Sequence, residues 1–298
     1  MGFDQSSLRN DNKLVLQLSR NEDAMTKTIM ITGASSGFGR LTAKKFQSEG
    51  WNVIATMRKP ELETELDKLE NTVVFQLDVT KQDSITTSVA KGISRFGSID
   101  VLVNNAGYGG HALFEQFADD DIQAMYATNV FGLMNTTREV LPHMRKNRAG
   151  TIINVTSLAG LIGGPTTSVY SSTKFAIEGF TEALAHELSG LNIRVMSVAP
   201  GAFATNFGAA TQNPSQNGDD DLQKYAQIVF EKMASVRKAL LVPEQHPQDV
   251  AEKIFECATE NVPTRNVVGK DAESLQTQKD TLSHTAFSQQ ISELFSMS

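Results

Sequence analysis

"ITGASSGFGR", Ile31 to Arg40, admits two readings, and the choice between them decides the fold. Gly33-Ala34-Ser35-Ser36-Gly37 has the G-x-S-x-G form of the elbow that presents a hydrolase's nucleophile, here Ser35. Gly33, Gly37 and Gly39 also form G-x-x-x-G-x-G, a turn able to hold a dinucleotide's phosphates. The stretch follows a β-rich run and opens a helical pattern, so the local context suits both. Three observations favour the phosphates. A hydrolase elbow comes after several strands have built the sheet, and this one sits on the first. A triad needs an acid and then a histidine downstream, and neither His246 nor His284 has a recognisable strand-end setting. The elbow also leaves Gly39 unexplained. In the phosphate reading Gly33 allows the tight turn, Gly37 lets the backbone approach the ligand and Gly39 lets the helix pack near the strand. The helix N-terminus adds free N–H groups and a positive dipole end.

Outward from this turn the chain is regular. β-rich runs occur at Thr28–Thr32, Asn52–Met57, Val73–Leu77, Val101–Asn104, Thr151–Thr156, Arg194–Ala199 and Asn266–Val268. Helical spacing fills the intervals, as with Ile122, Met125, Tyr126, Asn129 and Val130. Strands alternating with helices imply right-handed crossovers and a parallel sheet covered on both faces. The nearly unbroken apolar character of the runs fits strands buried on both sides. The expected class is therefore α/β, doubly wound.

Residues 1–24 are polar apart from Leu14 to Leu18 and read as a flexible extension, with Met25 a possible true start. Residues 25–298 read as a single domain. "GAATQNPSQNGDDD", Gly208 to Asp221, breaks the rhythm before a helical pattern from Leu222 to Leu240. Because it follows the sixth strand, a mobile lid or substrate loop is expected near residues 203–242.

The 298-residue chain carries a net charge of −7, which argues against a nucleic-acid surface. Its one cysteine, Cys257, excludes an internal disulfide and reads as a small core residue. There is no apolar run of membrane-spanning length and no signal-peptide core at the N-terminus, so a soluble cytoplasmic protein is expected. No metal site is expected.

Chemistry enters with "YSSTK", Tyr170 to Lys174. On a helix this spacing places a phenol and an ammonium on one face, one turn apart. A phenol near pKa 10 is a poor base at neutral pH, and an adjacent ammonium favours phenolate. Ser157, closing the run "TIINVTS", can hydrogen-bond the same substrate oxygen, and Asn129 in "YATNVFG" can hold a water that passes protons to Lys174. "LDVT" places Asp78 at the third strand's end, where it can reach an adenine amine or brace a loop, and "NNAG" ends the fourth strand with room at Gly107 for a flat ligand.

With "TGASSGFG", "NNAG", Asn129, Ser157, "YSSTK" and "PGAFAT" in this order, the chain resembles the short-chain dehydrogenases/reductases, in the branch with a single Rossmann domain. Ser157 and Tyr170 have that family's usual separation, and the likeness spans about Lys27 to Gly269. The resemblance implies a mostly or wholly parallel sheet of seven strands and hydride transfer between a nicotinamide and a carbonyl or carbinol carbon. It implies that Tyr170 is the acid/base, Lys174 depresses its pKa and binds the nicotinamide ribose, Ser157 orients the substrate and Asn129 holds the relay water. The cofactor site would draw on Gly33, Ser35, Ser36, Gly37, Phe38, Gly39, Asp78, Val79, Asn105, Ala106, Gly107, Pro200, Gly201, Phe203 and Thr205. Of these, Asn105 would lie near the adenosine ribose, and Thr205 with the backbone of Phe203 would hold the carboxamide.

The second strand leads into "IATMRKPE". Met57 stands where an NAD enzyme carries an acid for the ribose 2′-hydroxyl, and Arg58 follows. A guanidinium pairs well with a 2′-phosphate, so NADP(H) is favoured over NAD(H), although Ser36 stands where many NADP-dependent relatives have a basic residue. Tyr108, Gly109, His111, Leu158 to Gly164 and Phe203 to Phe207 are expected around a small-molecule carbonyl or alcohol, apolar or bulky. "FAIEGFTEALAHEL" is apolar on more than one side, which suits a homodimer or homotetramer. Two alternatives remain: a non-catalytic NADP(H)-binding redox sensor on the same scaffold, and a serine hydrolase using Ser35.

Overall fold

Runs of β-branched and apolar residues form a seven-stranded sheet in a computed structural model that describes residues 26–203, 217–240 and 245–296. The strands are β1 (Thr28–Thr32), β2 (Asn52–Met57), β3 (Thr72–Gln76), β4 (Val101–Asn104), β5 (Gly150–Val155), β6 (Ile193–Pro200) and β7 (Arg265–Val268). Their order is β3-β2-β1-β4-β5-β6-β7, and every neighbouring pair is parallel. The expected runs match these strands to within a residue or so at each end. All of β1 and β4 is buried, as a sheet covered on both faces requires.

The helices are α1 (Gly37–Ser48), α2 (Gln82–Phe96), α3 (Asp119–Tyr126), α4 (Leu133–Asn147), α5 (Ser168–Leu188), α6 (Asp220–Leu240), α7 (Pro247–Thr259), α8 (Lys270–Thr281) and α9 (His284–Leu294). One core joins the sheet to α1 and α7 through Phe46, Trp51, Ile254 and Cys257, with Phe255 packed at its edge. Phe46 meets both Trp51 and Phe255 edge to face, ring centroids 5.1 Å apart. On the opposite face Ile85, Val89, Val140, Met144, Leu184 and Leu188 bring α2, α4 and α5 against Ile54, Leu102 and Ile152. Burial pushes the Cys257 thiol up to about 12, in keeping with a core residue.

β1 lies between β2 and β4, so the chain leaves β1 toward one side and later returns to the other. The crevice beyond the strand ends at this reversal is where ligands bind in such sheets. Among the described residues no helix is long and apolar enough to cross a membrane. The expected extension at residues 1–24 and Thr205 lie outside the described residues, as does part of the expected loop near 203–242. Its helical pattern is present as α6, which buries Ala226, Val229 and Val236.

Candidate active site

The β1–α1 turn is built around the glycines. Gly33 and Gly37 take φ of +70° and +53°, a region that side chains disfavour. A Cβ on Gly39 would lie 2.5 Å from both Asn105 Nδ2 and the Gly33 carbonyl, so α1 can approach the strand only without one. A Cβ on Gly37 would meet nothing within 4 Å. Ser36 precedes α1 with no hydrogen bond from its side chain to the helix, which leaves that helix end without a side-chain cap. An uncapped N-terminus facing open space fits a diphosphate. Ser35 and Ser36 are exposed and Phe38 half-buried. Arg40 Nε donates to the Ser35 carbonyl at 3.1 Å and its guanidinium pairs with Glu63 and Glu65, bracing the turn from behind.

The β4 end is tied to this turn. Asn105 Nδ2 donates to the carbonyls of Thr32 and Gly33, each at 3.0 Å. The Asn105 and Ala106 N–H groups donate to Thr32 Oγ1, also at 3.0 Å. Both donors of the Asn105 amide thus serve the turn. Asp78 lies two residues beyond β3, accepting from Thr80 N and Oγ1 at 3.0 and 2.7 Å. Burial alone would raise its carboxyl, but these bonds outweigh it and hold the pKa below the ordinary value. Val79 is buried against Gly132. Arg58 is exposed just past β2, and its charge reaches both Asp78 and Tyr108.

Ser157, Tyr170, Lys174 and Asn129 are brought together. Ser157 lies two residues past β5 and starts a single helical turn, Leu158–Gly160, accepting there from Ala159 N at 3.1 Å. It also hydrogen-bonds the Tyr170 hydroxyl. Lys174 Nζ donates to the Val155 carbonyl at 3.0 Å and stands 5.7 Å from the Tyr170 ring centre. Asn129 lies in a π-helical stretch, Ala127–Gly132, between α3 and α4. Its side chain clasps Tyr108, taking the N–H at Oδ1 (3.0 Å) and donating to the carbonyl (2.9 Å). A further bond runs from Nδ2 to Thr173 Oγ1 at 3.2 Å. Both amide donors are therefore engaged, leaving a relay water the second lone pair of Oδ1 and the main chain.

In the protein alone, burial sets the state of both Tyr170 and Lys174. Burial pushes the phenol up to about 12, opposed by the Ser157 hydrogen bond. Lys174 itself is pushed down to about 8 by burial, opposed by Glu178. Both groups lie in a dry pocket that disfavours charge, and the ammonium is directed to Val155 rather than to the phenol.

Tyr108 packs with Tyr170, Val169, Met125, Phe117 and Ala112 in a small apolar cluster, and His111 is half-buried in the same loop. At the β6 end, Pro200 closes the strand and Gly201 N donates to the Val268 carbonyl at 2.8 Å. Phe203 is buried and meets Phe38 edge to face at 5.8 Å. Asp271 and Gln245, which the sequence alone did not single out, hold this loop. Asp271 Oδ2 accepts from Ala202 N at 2.7 Å, and Gln245 Nε2 donates to the Ala202 carbonyl at 3.1 Å. No short motif marks them, because they act from distant segments. Glu178 was also passed over, although it repeats the Tyr170–Lys174 spacing once more.

Residues 27–216 match the short chain dehydrogenase family. The chain belongs to that family. A 3-ketodihydrosphingosine reductase of Bacteroides thetaiotaomicron is 38% identical over 245 residues, covering 81% of this chain and 87% of the relative. The solved structure of ElxO with NADP bound superimposes with a TM-score of 0.68 at 30% identity, covering 84% of this chain and 100% of that one. A 3-ketoacyl-(acyl-carrier-protein) reductase of Brucella melitensis complexed with NADH gives a TM-score of 0.68 at 26% identity, covering 83% and 98%. As a short-chain dehydrogenase, the protein is an oxidoreductase that uses a nicotinamide cofactor.

Proposed function

We propose that this short-chain dehydrogenase reduces an apolar carbonyl compound to a secondary alcohol with NADPH, Tyr170 supplying the proton. The observation that carries the reading is the buried Tyr170 hydroxyl, hydrogen-bonded to Ser157 with the Lys174 ammonium beside its ring. A phenol raised to about 12 carries its proton at neutral pH, as a donor to a carbonyl oxygen must.

The nicotinamide, when bound, supplies the hydride. This chain's residues do the rest. The uncapped α1 N-terminus with Gly33 to Gly39 receives the diphosphate, and Asp78, Val79 and Asn105 to Gly107 border the adenosine side. Pro200, Gly201 and Phe203 border the nicotinamide side. Gly107 leaves the space between Asn129 and Lys174 open, since a Cβ there would lie 3.1 Å from Asn129 Oδ1 and 3.8 Å from Lys174 Nζ. Lys174 keeps two N–H donors beyond Val155, enough for the two hydroxyls of a ribose. Ser157 and Tyr170 together hold the substrate oxygen, which fixes the carbonyl carbon for attack. Asn129 and Lys174 return the proton that Tyr170 gives up, by way of water.

Arg58 supports NADP(H) over NAD(H). Its guanidinium is exposed just past β2, free to pair with a 2′-phosphate, and β2 ends at Met57 rather than at an acid. The apolar cluster around Tyr170 with Tyr108, next to His111, supports a bulky apolar substrate, and the keto compound in the name of the Bacteroides relative points the same way. α6 follows the nicotinamide-side loop and reaches the β4 loop through Gln223 and Gln116, as a lid would. Phe131 and Phe175 are exposed beside α4 and on α5, which supports pairing of two subunits. The test is NADPH oxidation against a panel of long-chain and cyclic ketones. Turnover with apolar ketones at neutral pH is expected, and no turnover despite tight NADPH binding would overturn the reading in favour of a sensor.

A further inference from the structure

α5 repeats its spacing beyond the catalytic pair. Tyr170, Lys174 and Glu178 stand four residues apart on one stripe, exposed by 8%, 7% and 4%. A carboxylate this deeply buried is costly to stability unless it is fully partnered. Glu178 is partnered. Oε1 accepts from Thr156 Oγ1, and Oε2 accepts from Ser197 Oγ at 3.0 Å and Arg265 Nε at 2.8 Å. Thr156 immediately precedes Ser157, so the anion is anchored to the segment that carries the third catalytic group.

Lys174 hydrogen-bonds a neutral carbonyl, so its charge must be balanced through space. Tyr170 and Glu178 share its helix, Arg265 of β7 and Lys279 of α8 lie near Glu178, Lys279 also faces Asp280 of its own helix, and Thr156, Ser157 and Ser197 add hydroxyls. Glu178 is the anion whose charge acts on Lys174. Arg265 and Lys279 are cations that answer to it.

We propose that Glu178 is a positioning residue, a buried anion that holds Lys174 in its ammonium form, and that Arg265 moderates its strength. The proposal rests on the reading of Tyr170 and Lys174 as the catalytic pair. Burial works against the ammonium and the Glu178 carboxylate works for it. Removing that carboxylate makes the first proton of the Tyr170–Lys174 pair easier to lose, whichever group loses it. Removing the Arg265 charge makes it harder. Damage to packing alone would not give opposite signs.

The test is proton–carbon NMR of the lysine ε-carbons in the cofactor-free protein, with the Lys174 signal assigned by Lys174→Met. Glu178→Gln should lower its titration midpoint by roughly one pH unit, and Arg265→Gln should raise it. The high-pH limb of carbonyl reduction should move in the same two directions. An unmoved midpoint, or a shift of the same sign in both variants, would overturn the proposal. If Glu178→Gln does not fold, Glu178→Asp, which keeps the charge but draws it back from Lys174, should lower the midpoint by a smaller amount, and an unmoved midpoint would overturn the proposal. The NMR titration separates this proposal from the catalytic reading, which fails instead if Tyr170→Phe retains turnover.

Discussion

Lys174→Met should make the protein more stable at neutral pH while removing its activity. Lys174 is 7% exposed, and burial lowers its pKa from 10.5 to about 8. The sign follows from linkage. A depressed pKa means that the native state holds the neutral amine more easily than the unfolded chain does. This advantage is full above pH 10.5, shrinks as the pH falls to about 8, and is gone below that, where both states carry the ammonium. Relative to an uncharged side chain, the penalty at pH 7 is the whole difference, about 3 kcal/mol. Methionine matches the length of the lysine stem but leaves the Val155 carbonyl without its 3.0 Å donor, a loss of about 1 kcal/mol. The net gain is about 2 kcal/mol at pH 7. Urea denaturation of both proteins at pH 7 and at pH 10.5 measures it. The account expects Lys174→Met to be the more stable at pH 7, with the gap closed or reversed at the higher pH. A variant no more stable than the parent at pH 7, or a gap that persists unchanged at pH 10.5, would refute the reasoning.

Other predictions follow from the same geometry. Arg58→Asp should raise the KM for NADPH roughly 10–100-fold, the value of a charge-assisted phosphate contact, while the KM for NADH changes little; equal effects on both would remove Arg58 from cofactor selection. Gly39→Val should weaken NADPH binding and cost about 1–3 kcal/mol of stability, because its Cβ would sit 2.5 Å from Asn105 Nδ2 and the Gly33 carbonyl; calorimetric titration and thermal melting check both. Cys257, fully buried with its thiol at about 12, should resist maleimide in the native protein and react quickly in urea; fast native labelling would contradict its place in the core.

Much of the fold was legible because a doubly covered parallel sheet leaves a strong trace. Its strands are continuous apolar runs, and all seven were located to within a residue or so. The turn at Gly33 to Gly39 was legible because close approach admits only glycine at Gly39. Tyr170 and Lys174 were legible because a helix converts a spacing of four into a shared face. What escaped depends on contacts between distant segments. Asp271 and Gln245 secure Ala202 from the first turn of α8 and from just before α7, and no local pattern announces that. Asn129 was read as a water holder, whereas its amide first of all clamps Tyr108, an arrangement set by the π-helical stretch around it. The burial around Tyr170 was not legible either, because spacing reports proximity and not burial.

The central claim concerns a single hydroxyl, and Tyr170→Phe removes that group alone from a closely packed cluster. The decisive measurement is single-turnover reduction of a ketone by the variant with NADPH already bound, alongside NADPH affinity by calorimetry. The account predicts affinity within a few-fold of the parent and a rate lower by at least roughly a hundredfold, the loss of a positioned proton donor. Unchanged affinity with an unchanged rate would contradict it.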